Sequence, residues 1–455
     1  MNDTSNTGRM RRYLLIGIGA IAAVVLIGWV WMVALAPSPT DFAGGTRVAL
    51  TGYHGADPTG TPPELKSASL IARGEYLARA ADCAACHTAD GGAPYAGGRA
   101  FVLPFGTLYS TNITPDKETG IGDYSDADFL NAVHKGIAPG NEKLYPAMPF
   151  ASYTYMTDAD AGAIKAYLFS LKPVRAPDRE NKLSFPFNQR WLMGLWAVVF
   201  NPDQRFEPRT GRDPQWNRGA YLVEAMAHCG ECHTPRNLLQ ALNQRRKFSG
   251  AVQAGWRAYN ITSDPKSGIG AWSEADLAHY LSMGHADRRG TATGPMGEAV
   301  DESLAFLTQS DISAMVTYLR SVSAIATPDL PEPKAAPAPA LHSEGVAAQV
   351  DARGKSVYAG ACAACHDWSG VSPVLPYATL TGARSVNDPT AVNVVQIILT
   401  GAHRQATNAG TSMPAFGGAY SDEEIASLAN YVTARFGAKP SALTADNIAA
   451  LRAED

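Results

Sequence analysis

At 455 residues the chain has room for about three domains of roughly 150 residues each, and its 46% apolar composition lets each of them bury a core. The formal net charge is −4 with 18% charged residues, so there is no basic excess of the kind that binds nucleic acid and no acidic run of the kind that keeps a chain disordered. Beyond those exclusions charge says little about partners.

The first predicted element is a membrane span. Tyr13 to Ala36 is a run of 24 positions without a charged side chain, and about 20 suffice for a helix to cross the hydrocarbon core. Arg9, Arg11 and Arg12 precede it, which favours a cytoplasmic N-terminus, and Trp29 and Trp31 fall where an outer interfacial belt would lie. A cleaved signal peptide is the competing reading, because Ala34-Leu35-Ala36 resembles a small-residue cleavage site. The apolar core of a signal is usually about 7 to 15 residues, so the longer run predicts a retained anchor over residues 1–40, with the bulk of the chain extracytoplasmic.

The cysteines decide the chemistry. All six fall into three copies of one pattern: Cys83-Ala-Ala-Cys86-His87, Cys229-Gly-Glu-Cys232-His233 and Cys362-Ala-Ala-Cys365-His366. Two thiols three residues apart sit on one helical turn and can meet the two vinyl groups of a porphyrin, while the next residue, histidine, turns under the ring to the iron. This is the c-type haem attachment signature, and three copies predict three covalently bound haems c. A zinc site would need a second Cys/His pair nearby in sequence, and a thioredoxin-like redox pair belongs beside a βαβ pattern and has no such recurring histidine; the sequence offers neither.

Internal repeats divide the remainder. Arg73-Gly-Glu-Tyr-Leu before the first motif returns as Arg218-Gly-Ala-Tyr-Leu before the second and as Arg353-Gly-Lys before the third. Asn112-Ile-Thr, Gly120-Ile-Gly and Ser125-Asp-Ala-Asp128 return as Asn260-Ile-Thr, Gly268-Ile-Gly and Ser273-Glu-Ala-Asp276, at a constant offset of 148 positions. Serine followed three residues later by aspartate predicts a capped helix start at Ser125 and Ser273. Amphipathic segments at Asp158 to Leu171, Ser310 to Val322 and Ser421 to Phe436 predict a closing helix for each unit. The expected architecture is all-α: three tandem cytochrome c-like domains, at residues 67–175, 213–325 and 347–438, behind one N-terminal transmembrane helix.

The same offset nominates the sixth iron ligand. Met148 plus 148 lands on Met296, and no other pair among the eleven methionines is so related. Both stand in Pro/Gly-rich segments, Tyr145-Pro-Ala-Met-Pro149 and Gly294-Pro-Met-Gly297, predicted to be extended loops that present a thioether. Met413, before Pro414, is the methionine available to the third unit. Met156 and Met283 have no repeat counterparts and are expected not to ligate. His134, His228, His279, His285 and His403 could in principle give bis-histidine iron, but His134 aligns with Ser282, and they are expected to be core or surface residues. His/Met ligation raises haem potentials relative to His/His. The predicted iron ligands are therefore His87 and Met148, His233 and Met296, His366 and Met413.

Over residues 67–438 the chain resembles the triheme cytochrome c subunits of bacterial membrane-bound dehydrogenases that oxidise alcohols, sugars, sugar acids or aldehydes. The segments that carry the resemblance are Trp216-Asn-Arg-Gly-Ala-Tyr-Leu-Val-Glu224, His228-Cys-Gly-Glu-Cys-His-Thr-Pro-Arg-Asn237 and Phe185-Pro-Phe-Asn-Gln-Arg190. The resemblance implies three cytochrome c folds that take electrons from a catalytic subunit of the pyrroloquinoline quinone, flavin or molybdopterin type and pass them towards ubiquinone. It also implies that the haem ligands are the cysteines, histidines and methionines already named. Several members are anchored near the C-terminus, whereas this sequence carries its apolar span at the N-terminus and ends in the polar Ser441 to Asp455.

Two linkers are expected between the units. Residues 326–341 are proline-rich and predict a stiff extended connector. Asn181 to Arg212 contains Trp191-Leu-Met-Gly-Leu-Trp-Ala-Val-Val-Phe200, too short to span a membrane, and therefore interface, packing between units or membrane-surface contact, with packing between units the expected one. No nucleophile-base constellation, dinucleotide fingerprint or His-rich metal cluster accompanies the haem motifs. No catalytic residue is therefore expected; an autonomous haem enzyme such as a peroxidase is the alternative, but it would need an open sixth position on iron.

Overall fold

The computed structural model describes residues 4–34, 62–334, 351–404 and 411–453. The side chains of Arg9, Trp29 and Trp31, the Leu35-Ala36 part of the cleavage-like site and residues 335–341 of the proline-rich linker lie outside what is described.

Helix α1 (Thr4–Ala34) comes first. Its stretch Met10–Gly28 is long and apolar enough to cross a membrane, and none of that stretch is buried against the rest of the chain. The first repeat then runs α2 (Leu70–Ala80), α3 (Cys83–His87), α4 (Asp126–Lys135), α5 (Phe150–Tyr153) and α6 (Asp158–Ser170), and α7 (Leu192–Phe200) follows it. The second repeat comprises α8 (Pro214–Tyr221), α9 (Gly230–His233), α10 (Glu274–Met283), α11 (Gly294–Glu302) and α12 (Gln309–Ser321). The third comprises α13 (Ala352–Ala361), α14 (Ala363–His366), α15 (Val392–Thr400), α16 (Asp422–Phe436) and α17 (Ala445–Arg452).

Local sequence explains these boundaries. The Ser125 hydroxyl accepts from the Asp128 N–H and the Asp128 carboxylate accepts from the Ser125 N–H, so α4 opens on a complete capping box; Gly136, at φ 64°, ends it. The same box forms between Ser273 and Asp276 at α10, and between Ser421 and Glu424 at α16. The recurring Arg-Gly pair marks a helix crossing. A Cβ on Gly74 of α2 would collide with the Ala163 carbonyl of α6, one on Gly219 of α8 with the Ala314 carbonyl of α12, and one on Gly354 of α13 with the Ser427 carbonyl of α16. Only glycine lets the first and last helices of each repeat approach so closely.

The structure modifies the all-α expectation, because short antiparallel strands join the helices. Ala100–Leu103, Gly106–Tyr109 and Lys182–Leu183 form a three-stranded ladder, and four two-stranded hairpins are found elsewhere among the described residues. In the hairpin pairing Ala251–Gln253 with Trp256–Ala258, the two turn residues Ala254 and Gly255 have φ 45° and 69°. Positive φ at both central positions gives a turn whose twist matches the strands it joins. These strands are two to four residues long, below what hydrophobic alternation can reveal.

The first two repeats share one hydrophobic core, and the third has its own. A reciprocal exchange locks the first two together. The Tyr76 hydroxyl of α2 donates to Asp311 of α12 at 2.6 Å, and the Tyr221 hydroxyl of α8 donates to Asp160 of α6 at 2.7 Å. Each aspartate also pairs with an arginine of its own repeat, Arg73 with Asp160 and Arg218 with Asp311. Each tyrosine oxygen further accepts a helix-capping N–H of the opposite repeat, from Thr308 and Thr157. In the third repeat Ser356 stands where the tyrosine would be, and that repeat docks on the second through polar contacts instead. Arg257 pairs with Asp388, Asn393 bonds both backbone groups of Arg257, and Arg404 reaches Asp301 at 2.8 Å and the Ala292 carbonyl at 3.1 Å. The described part of the proline-rich linker, residues 326–334, runs along this junction with Leu330 buried.

One side of α7 packs between units as expected, joining the first repeat to the second. Trp196 packs edge-on to Phe150 and donates its Nε1–H to the Leu239 carbonyl at 2.8 Å. The opposite stripe, Trp191, Leu195 and Val198, is exposed. A run that is apolar on every side carries no period, so the sequence assigns this segment no secondary structure.

Candidate haem-attachment sites

Each cysteine motif forms a short helix that follows the repeat's first helix, α3 after α2, α9 after α8 by way of a π-helical turn at Leu222–Met226, and α14 after α13; Cys229 and Cys362 stand at the N-caps of the last two. None of the six cysteines is in a disulfide. Burial pushes the Cys83, Cys86 and Cys229 thiols up to about 12, so they stand as neutral thiols. Neutral, unpaired thiols three positions apart are the form in which thioether bonds to vinyl groups are made.

The three histidines are held alike. His87 Nδ1 lies 2.7 Å from the Thr111 carbonyl, His233 Nδ1 2.5 Å from the Tyr259 carbonyl and His366 Nδ1 2.6 Å from the Ala378 carbonyl. A carbonyl can only accept, so Nδ1 carries the proton in each ring and Nε2 is left with its lone pair. Burial lowers the pKa of all three, with the carbonyl bond opposing it, and keeps the imidazoles neutral. A neutral ring with Nδ1 tied to backbone and Nε2 available is how a protein orients an imidazole metal ligand. These residues fit c-type haem; when bound, such a group supplies one-electron chemistry at iron.

The methionines sit in unlike settings. Met148 occupies a turn before α5, its N–H donating to the Tyr145 carbonyl at 3.0 Å. Met296 is not in the extended loop expected from its Pro/Gly neighbours. It lies in the first turn of α11, because Pro295 is compatible with the start of a helix and Gly294, at φ 53°, turns the chain into it against Trp256. Met413 ends a strand paired with Ala402. All three are half-buried and packed against the hydrophobic cores. Met156, by contrast, is 1% exposed core filler.

The other histidines have local partners or burial of their own. His134 is fully buried, with Asp158 3.7 Å away, and burial lowers it to about 3. His228 lies edge-on to Tyr153, His279 faces the His285 carbonyl at 2.6 Å, His285 reaches Thr291 and Asp287, and His403 pairs with Ser412.

The attachment helices of the first two repeats lie where those repeats meet, α3 near α11 and α9 bonded to α5. The Ser152 hydroxyl of α5 donates to Glu231 of α9 at 2.8 Å, and Arg99, which donates to the Ala85 carbonyl of α3 at 2.5 Å, pairs with Glu298 of α11. Sequence reasoning missed the groups around them. Asp82, in a left-handed turn at φ 54° before Cys83, is pushed up to about 8, first by burial and then by Glu298 and Glu302. Glu224 and Lys247 form a buried ion pair beside Cys229, with the Tyr318 hydroxyl also donating to Glu224. Aligning Arg99 with Lys247 at the 148-residue offset would have singled out that basic position. The Thr-x-x-Asp shared by Thr157-Asp160 and Thr308-Asp311 would have singled out the aspartates of the exchange.

A cytochrome c family model matches residues 71–172, and the model of cytochrome c oxidase, cbb3-type, subunit III matches residues 349–432. The chain is 41% identical over 424 residues to the fructose dehydrogenase cytochrome subunit of Gluconobacter japonicus, covering 88% of this chain and 86% of that protein. It belongs to the cytochrome c subunits of membrane-bound dehydrogenases. This cytochrome subunit is also 40% identical over 410 residues to the gluconate 2-dehydrogenase cytochrome c subunit of Pantoea cypripedii, covering 85% and 90% of the two chains. To the cytochrome c subunit of the alcohol dehydrogenase (quinone) of Gluconobacter oxydans it is 36% identical over 404 residues, covering 84% and 82%. Electron transfer by haem c in a dehydrogenase complex is the function that this membership carries.

Proposed function

We propose that this cytochrome subunit carries three covalent haems c, in domains at 67–175, 213–325 and 347–438, and passes electrons from a periplasmic dehydrogenase subunit to ubiquinone. One observation carries the reading: three Cys-x-x-Cys-His helices, each with its histidine Nδ1 bonded to a backbone carbonyl. His87, His233 and His366 are the proximal ligands; Met148, Met296 and Met413 close the sixth positions. Methionine in the sixth position would leave no open site for peroxide, and the relatives lend no support to an autonomous haem enzyme. Helix α1 is kept as the anchor and holds the haem domains at the outer face of the membrane. Substrate oxidation resides in the partner, of the pyrroloquinoline quinone, flavin or molybdopterin type.

The test uses the membrane complex copurified with its dehydrogenase subunit. Adding that subunit's substrate reduces all the haem absorbance, and a short-chain ubiquinone reoxidises it. Haems that stay oxidised under substrate, or reoxidation only by peroxide, would sink the proposal.

A further inference from the structure

The exposed stripe of α7 lies within a larger apolar face. Trp191 is 63%, Leu195 58% and Val198 71% exposed; Phe185 before the helix is 78% exposed, and Leu238 and Leu239 of the second repeat are also open. Trp196 ties the helix to that second-repeat loop through the Leu239 carbonyl. The patch therefore straddles two repeats and is held in a fixed shape.

Its neighbour tells what covers it. Helix α7 is the helix that α1 approaches. Along α1 every described residue from Met10 to Ile27 is exposed, and only Gly28 becomes half-buried, so the span leaves the body of the protein from its C-terminal end. An apolar face beside the point where a membrane span departs is continuous with the surface of the bilayer. A second copy or a soluble partner seated there would have to share that site with lipid.

The face is also clamped to the loop that bears Met148. The Tyr145 hydroxyl donates to the Phe187 carbonyl at 3.0 Å, Arg190 donates to the Lys143 carbonyl at 3.2 Å, and Phe150, two residues beyond Met148, carries the Trp196 ring. Lys143 lays its aliphatic stem along Gly194.

We infer that α7 and its flanks form an interfacial contact with the lipid bilayer, seating Trp191, Leu195 and Val198 among the acyl chains and turning the Met148 side of the first repeat towards the membrane. The inference rests on the reading of α1 as a retained anchor. A nine-residue helix of apolar residues, packed on one side through Trp196 against Phe150 and open on the other, is too short to cross the bilayer and suits a position in its interface. The consequence for electron transfer is positional: the first repeat, rather than the third, is the one presented to an apolar electron acceptor dissolved in lipid.

Photocrosslinking of the full-length haem-loaded protein tests this, in nanodiscs of phosphatidylethanolamine and phosphatidylglycerol. p-Benzoylphenylalanine is placed singly at Val198, at Ile18 within α1 and at Val374, an exposed position of the third repeat. Adducts with lipid are expected at Val198 and Ile18 and not at Val374. Lipid at Ile18 alone overturns the interfacial contact and leaves the anchor standing; lipid at neither overturns both. Adducts of Val198 with the dehydrogenase subunit or with a second copy of the chain also overturn it. As a second measurement, the double variant Leu195→Gln/Val198→Gln should take electrons from the dehydrogenase at the normal rate and reduce membrane ubiquinone several-fold more slowly. An unchanged quinone rate would overturn the positional consequence even if lipid adducts form.

Discussion

Replacing Asp311 by alanine should unfasten the first repeat from the second. The carboxylate is 1% exposed and accepts two bonds from the 7%-exposed Arg218, both at 2.8 Å, as well as the Tyr76 hydroxyl at 2.6 Å. Removing one partner of a buried ion pair costs about 3–5 kcal/mol, because the other charge stays buried. Arg218 still feels Asp160, which is among the charges that act on it, so about 3 kcal/mol is expected. Tyr76→Phe removes only a hydroxyl that donates to a charged acceptor and should cost about 1–3 kcal/mol. In a unit the size of the two joined repeats, 1 kcal/mol shifts Tm by about 2–4 °C, so Asp311→Ala should melt roughly 6–12 °C lower. The assay is a thermal scan of the holoprotein followed by circular dichroism of the haem bands. Because the third repeat has a separate core, its transition should not move. The double variant should cost less than the sum of the singles, since both remove the same Tyr76–Asp311 bond. A fall confined to the third repeat's transition, or strict additivity of the two substitutions, would refute the exchange as a lock.

Other outcomes follow from the sites and the packing. Met148→His, Met296→His and Met413→His should each lower the potential of one haem and leave all haems attached, as a redox titration of each variant would record; the same effect from Met283→His would displace the offset argument. Gly354→Val should cost the third repeat its haem while leaving the first two folded, because its side chain meets the Ser427 carbonyl; haem staining of tryptic fragments reads this directly. His134 ionises near 6.5 when unfolded and at about 3 when folded, so the unfolded state binds more protons between those values and stability falls as pH drops through that window. At pH 5 the loss is about 2 kcal/mol, and His134→Leu should flatten the acid side of the first repeat's stability profile; a profile unchanged from wild type would contradict the burial of that ring.

Much of the local structure was legible because short patterns determine it. The capping boxes at Ser125 and Ser273 form as read, and the closing helices α6, α12 and α16 fall within a residue of the segments expected from amphipathicity. The haem motifs were legible because thioether chemistry demands a spacing that little else uses. What stayed hidden depends on distance along the chain. Tyr76 and Asp311 are 235 positions apart, and no periodicity connects them, although both stand in repeated motifs. The carbonyls that hold His87, His233 and His366 are backbone atoms and leave no mark in sequence. Met296 misled because Pro and Gly open helices as readily as they make loops.

The central claim is the number of covalent haems, and a pyridine haemochrome assay against protein mass on the purified chain, made with a haem-attachment system, measures it directly. Three haems per polypeptide are expected, all remaining with the chain after denaturation and acid-acetone extraction, as thioether bonds at Cys83 and Cys86, Cys229 and Cys232, and Cys362 and Cys365 require. Two haems per chain, or haem that extracts into acetone, would contradict the account.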